Sequence, residues 1–170
     1  MKKTLLLFTV ILLISCEGKK GEDGKSSNEN NFSCESYISK GVDKFTKQKT
    51  ISVKPLEIEK GIFQFVGADT SALLIDITFK GQCVTDRTYA TFLFDNDSTK
   101  NVRSLNEKNC DGLLSYLVQK KDSRFMSYDY ILTHKIKAIR FEDYDHKTWD
   151  VNIDPSNAEK IQSLAKCLIK

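Results

Sequence analysis

Five cysteines and one acid-rich stretch hold most of the reactive side chains in this 170-residue sequence. Cys34, Cys83, Cys110 and Cys167 lie far apart, without a C-x-x-C pair and with only two histidines in the chain. Zinc sites draw their ligands from close pairs, so a metal-binding role does not fit these cysteines. None of them stands in the context that activates a thiolate nucleophile. The other cluster is "EDYDHKTWD", where Asp143, Asp145, His146 and Asp150 bring oxygen and nitrogen donors together. Such a group can hold a cation, and an Asp beside a His can move protons. An Asp-rich hairpin turn accounts for the same residues more simply. No metal or cofactor is therefore expected, and Asp143, Asp145 and His146 are the candidates if one is held. His134 belongs to no motif, and there is no G-x-S-x-G, glycine-rich phosphate loop or H-E-x-x-H. The expectation is a protein that is not an enzyme.

Cys16 has a different setting. Lys2 and Lys3 precede an uninterrupted apolar run from Thr4 to Ile14, and the sequence turns polar immediately after the cysteine. A membrane span needs about 20 apolar residues, whereas a shorter run behind a positive start is the pattern of a signal peptide. The tetrad Leu13-Ile14-Ser15-Cys16 resembles the lipobox of bacterial lipoproteins. That resemblance implies diacylglycerol on the Cys16 thiol, cleavage before Cys16, and acylation of the new amino terminus. Each buried methylene contributes about 0.8 kcal/mol, so two or three chains such as palmitate anchor a domain to a membrane. The acidic pair Glu22-Asp23 resembles the surface-export tag of Bacteroidota lipoproteins, and Asp97-Ser98-Thr99 resembles the O-glycosylation signal of that phylum. The expected location is the cell envelope, on the outer membrane, facing either the periplasm or the exterior.

Three segments follow: a cleaved signal over residues 1–15, a lipid-anchored flexible linker over 16–33, and one globular domain over 34–170. The linker is built from Gly, Ser, Asn, Lys and Glu/Asp, a composition that buries too little surface to offset the entropy of ordering. Loss of Lys2 and Lys3 from the 26 basic residues leaves 24 against 23 acidic ones, a net charge of +1. A nucleic-acid partner is not expected from that balance.

An oxidising compartment turns the four remaining cysteines into two disulfides, for which sequence alone allows three pairings. If the strands run up and down, the connections carrying Cys83 and Cys110 are separated by two strands and emerge at the same end of the sheet. The expected pairs are therefore Cys83 with Cys110 and Cys34 with Cys167. By the chain-entropy argument each contributes about 3 to 5 kcal/mol at most.

The elements that position these residues are mostly strands. In "ALLIDITFK", Leu73, Ile75, Ile77 and Phe79 alternate with Leu74, Asp76, Thr78 and Lys80, the period of a half-buried strand. Residues 88–95, 99–105, 112–119, 136–143 and 148–153 continue the series, with Asn96-Asp97-Ser98 as a turn. Two further strands are expected around Ile51 and Phe63. After Pro155, the residues Ala158, Ile161, Leu164, Ala165 and Leu168 follow helical spacing, with Asp154 or Ser156 to cap the start. A shorter helix is expected over 124–132. The fold expected is α+β: a predominantly antiparallel meander of seven or eight strands curled or packed against the C-terminal helix, with an all-β sandwich and a peripheral helix as the alternative.

In "VDKFTKQK", Val42 and Phe45 are expected to reach the core while the lysines face solvent. Phe125, Tyr128, Tyr130 and Tyr144 can line a surface, although cross-strand packing is the simpler role. The leading functional expectation is a membrane-anchored, non-catalytic interaction domain for a protein or glycan, with an inhibitor or immunity-type lipoprotein as one variant. The alternative is a carrier that keeps an apolar cavity between the sheet and the C-terminal helix. The sequence does not fix an oligomeric state.

Overall fold

The computed structural model describes residues 32–169 except 43, 46, 48, 70, 71, 86 and 121–124. The expected signal peptide, Cys16, Glu22, Asp23 and nearly all of the linker lie outside the described residues. A 3₁₀ turn, Cys34–Ser36, leads into β1 (Ile38–Val42), β2 (Lys49–Val53), β3 (Leu56–Ile58), β4 (Gly61–Asp69) and β5 (Ala72–Thr78). Then follow β6 (Tyr89–Phe94), β7 (Thr99–Arg103), β8 (Leu113–Gln119), β9 (Met126–Ser127) and α1 (Tyr128–Thr133). The described chain closes with β10 (Ile136–Glu142), β11 (Thr148–Asn152) and α2 (Pro155–Leu168).

The class is α+β and the sheets are predominantly antiparallel, with the short β8–β9 pair the only parallel one among the described residues. All eight expected strands form. They divide between two sheets instead of following one curled meander: β1-β2-β4-β5-β8-β9, with β3 also beside β4, and β11-β10-β6-β7. The chain crosses from one sheet to the other between β5 and β6, again between β7 and β8, and through α1 into β10.

Alternation drives the two sheets face to face. Leu73, Ile75, Ile77 and Phe79 are buried as their spacing requires, and so are Ala90, Phe92 and Phe94 of β6. Across the interface Phe92 meets Tyr116 edge-on at 5.7 Å, and Phe79 meets Phe141 at 5.0 Å. Trp149 stacks on Phe141 at 5.3 Å. Such pairs add about 0.5–1.5 kcal/mol each beyond their buried area.

Local chemistry explains where the elements stop. Pro55 has no N–H to give to a ladder, and the strand beside β4 breaks there into β2 and β3. At the break the Gln64 side chain donates to the Val53 carbonyl at 2.8 Å. The Asp154 carboxylate accepts from the Asn157 backbone N–H at 2.9 Å, and Pro155 occupies the first turn, which starts α2. That hydrogen bond is the main reason the Asp154 carboxyl titrates below its usual range. The helix then buries Ala158, Ile161, Leu164 and Ala165 in the common core. Of the shorter helix expected over 124–132, the described part begins only at Tyr128, because Met126–Ser127 is taken into β9 and Ser127 caps the turn.

Candidate functional site

Two disulfides fix the ends of the architecture, with the expected pairs: Cys83–Cys110 and Cys34–Cys167. Cys83 and Cys110 lie on the two crossings that flank the β6–β7 hairpin. Beside them Val84 N–H donates to the Asn109 carbonyl at 2.8 Å and Asn109 N–H returns to the Val84 carbonyl at 3.1 Å. The Asn109 side chain binds both main-chain groups of Leu113, each at 3.0 Å. Gly112 completes the corner with φ +71°, where an added Cβ would sit 1.9 Å from the Phe79 carbonyl oxygen.

The other disulfide ties the 3₁₀ turn to the last turn of α2, and a cleft of about 520 Å³ opens beside it. Ile38 of β1, Ile51 of β2 and Leu168 of α2 give it an apolar floor, while Glu35 and Lys40 bring charge to its rim. A second hollow of about 500 Å³ lies at the start of β1, between residues 35–39 and Val53, Lys54, Pro55 and Gln64. Ile38 and Glu35 line both, so the beginning of β1 is a ridge with a depression on either side.

β1 is an edge strand. It pairs antiparallel with β2, Ile38 opposite Val53 and Lys40 opposite Ile51, and no strand among the described residues pairs with its other side. Lys54 N–H donates to the Tyr37 carbonyl at 2.8 Å. Antiparallel ladders alternate, so Ser39 and Gly41 also point their main-chain groups at β2. Ile38, Lys40 and Val42 then direct theirs outward. Val42 is 60% exposed and Phe45 is 94% exposed, which corrects the expectation that both reach the core.

The acid-rich stretch is a turn. The Asp143 carboxylate accepts from the backbone N–H groups of Asp145 and Lys147, each at 2.9 Å, and His146 takes φ +58°. His146 Nδ1 lies 2.7 Å from a Glu142 carboxylate oxygen. That hydrogen bond, followed by the charges of Glu142, Asp143 and Asp145, raises the imidazole above its usual range. Asp150 faces the other way along β11, bound bidentately by Arg140 at 2.8 Å for each contact. No group of three or more metal-ligating side chains occurs among the described residues. The Asp143 carboxylate is thus used by the main chain and the His146 imidazole by Glu142, while Asp145 enters the turn through its N–H.

The four aromatic residues do not form one surface. Tyr128 is buried, and Tyr130 packs against Phe94 at 5.6 Å with Lys100 Nζ 4.3 Å above its ring. Tyr144 sits beyond the opposite end of β10, 60% exposed, with Arg87 stacked 5.3 Å from its ring. His134, beside α1, contacts the Asp95 carboxylate at 3.3 Å and Asn96 at 3.2 Å. Three buried polar atoms, Asp76 Oδ1, Tyr116 Oη and Trp149 Nε1, bond to none of the described residues. Burial raises the pKa of Asp76 and, far more, that of Tyr116, which stays neutral. They lie on three separate strands, β5, β8 and β11.

The ridge at β1 was not legible as a site. Ile51 and Leu168 read as strand and helix positions, and β1 shows no alternation of apolar and polar residues. One available signal was the recurrence of lysine at 40, 44, 47, 49 and 54 with Asp43 the only acid between them. No protein-family model, no curated protein and no solved structure matches this chain.

Proposed function

We propose that this protein is a lipid-anchored envelope protein whose globular domain binds a partner without catalysis. The observation that carries the reading is the cleft beside Cys34–Cys167, with an apolar floor, a charged rim and an unpaired strand along it. Small apolar pockets bordered by a few polar groups are the common form of a recognition site. Two disulfides support an oxidising compartment, in keeping with the lipobox at Cys16. The partner is a protein or a glycan, and the anchor keeps the domain at the outer membrane.

A carrier is the second reading, favoured by the position of the cleft between strands and the end of α2, where a cavity was expected. The core between the sheets is occupied by Phe63, Phe92, Tyr116 and Phe141, so the ligand would be held at this surface cleft. Calorimetric titration with a free fatty acid separates the readings. Saturable uptake lost in Ile51→Lys and Leu168→Lys supports the carrier; no uptake supports partner binding. The anchor is tested by radiolabelled palmitate. Label that enters the wild type and is lost in Cys16→Ala, together with release from membranes, is the expected result, and an unlabelled wild-type chain overturns it.

A further inference from the structure

Resting on the partner-binding reading, we infer that the partner is a protein whose acidic segment binds in extended form by adding a strand to the free edge of β1. The outward main-chain N–H and C=O groups of Ile38, Lys40 and Val42 are the template, and they bond to no described residue. Strand addition takes its affinity from such groups and its selectivity from pockets that receive alternate side chains. The cleft and the hollow at the start of β1 supply those pockets.

Charge selects the occupant. Lys40 is exposed on this edge, and Lys44 and Lys47 in the loop that follows it, and none of the three forms an ion pair with a described residue. The carboxylates of an acidic strand laid along β1 would face Lys40, with Lys44 and Lys47 past the end of the strand. A second copy of this chain fits less well. Antiparallel self-pairing centred on β1 sets Lys40 against Lys40, and like charges directly opposite destabilise a pair. An anionic membrane surface would satisfy the lysines and leave the main-chain groups without partners.

One edge strand of the four-stranded sheet gives the contrast. In β11 two of the outward groups are already bonded: Asn152 N–H donates to the Glu59 carboxylate and Lys60 Nζ donates to the Asp150 carbonyl, both at 2.8 Å. Proteins ordinarily protect edges in such ways, because an open edge recruits other strands.

The test uses the full lipidated chain in detergent and a short synthetic peptide alternating valine with glutamate, against its valine–lysine counterpart. Binding of the acidic peptide, with new exchange protection at the Ile38, Lys40 and Val42 amides, is expected. Lys40→Pro removes an outward N–H and leaves the bonds to β2 in place, and it should weaken binding roughly tenfold, the equivalent of one main-chain hydrogen bond. Lys40→Glu keeps the main chain and should shift preference to the basic peptide. An unchanged melting temperature in Lys40→Glu shows that folding is not the cause. Equal binding of both peptides, protection elsewhere, concentration-dependent self-association through β1, or capture by phosphatidylglycerol vesicles in place of the peptide would each overturn the inference. Continued palmitate labelling in that case leaves the anchored-domain reading standing.

Discussion

At one edge of the four-stranded sheet, β11 hands its outward N–H and C=O to Glu59 and Lys60, which arrive on the turn between β3 and β4. At one edge of the seven-stranded sheet, the same kinds of group on β1 pair with no strand among the described residues. Two residues of an adjacent hairpin account for the difference, and both belong to the sheet opposite β11. The β11 edge is therefore covered in part by the protein's own side chains, while β1, among the described residues, pairs only with β2 and follows the disulfide-bonded turn at Cys34. An edge that is rigid and unsealed is suited to binding, whereas a frayed one is not.

The largest effect comes from breaking what holds β1. Replacing Cys34 and Cys167 with serine reopens a loop of 133 residues and should cost about 5 kcal/mol by the chain-entropy argument, read as a lower denaturation midpoint. The same change at Cys83 and Cys110, which close 27 residues, should cost about 3.5 kcal/mol and leave amide exchange in β1 as it was. Equal exchange in β1 for both variants would mean that the Cys34–Cys167 bridge does not support that edge.

Gly61 positions the turn that seals β11. A Cβ there would lie 2.3 Å from the Thr78 carbonyl oxygen, so Gly61→Ala should destabilise the fold by about 2 kcal/mol and expose the Asn152 amide to exchange. Acid should loosen the same seal. The Asn152 N–H, first among several contributions, holds the Glu59 carboxyl below its ordinary 4.5. A depressed carboxyl contributes stability above the unfolded value and loses it as pH falls through the folded value. The Asn152 protection factor should therefore drop below pH 4.5 in the wild type and be low throughout in Glu59→Gln.

The smallest effect is at the turn before β11. His146, raised above 6.5 chiefly by its hydrogen bond to Glu142, contributes stability below that value and loses it as pH rises through the folded pKa. Its imidazole resonance should titrate above 6.5, and Glu142→Gln should bring it back down.

Strands that bury one face announced themselves in the sequence. Leu73, Ile75, Ile77 and Phe79 could be assigned to the core from spacing alone, and Trp149, Val151 and Ile153 likewise mark β11. The strands that were missed bury little or are very short. β1 is exposed at every residue after Ile38, β3 is three residues long beside Pro55, and β9 has only two residues. Binary pattern is therefore silent at the candidate site, because an open edge lacks the burial that creates the pattern. The division into two sheets was hidden for a related reason: a crossing connection looks like a hairpin loop until its ends are paired. The Cys83–Cys110 pairing holds across that division, since the β6–β7 hairpin still separates the two cysteines.

The bridge between Cys34 and Cys167 joins the first described turn to the last. A pull applied between the two ends of the chain is carried straight through this sulfur link, and the 133-residue loop it closes bears almost none of the load. Force entering at Cys34 thus reaches Cys167 without unravelling the sheets between them.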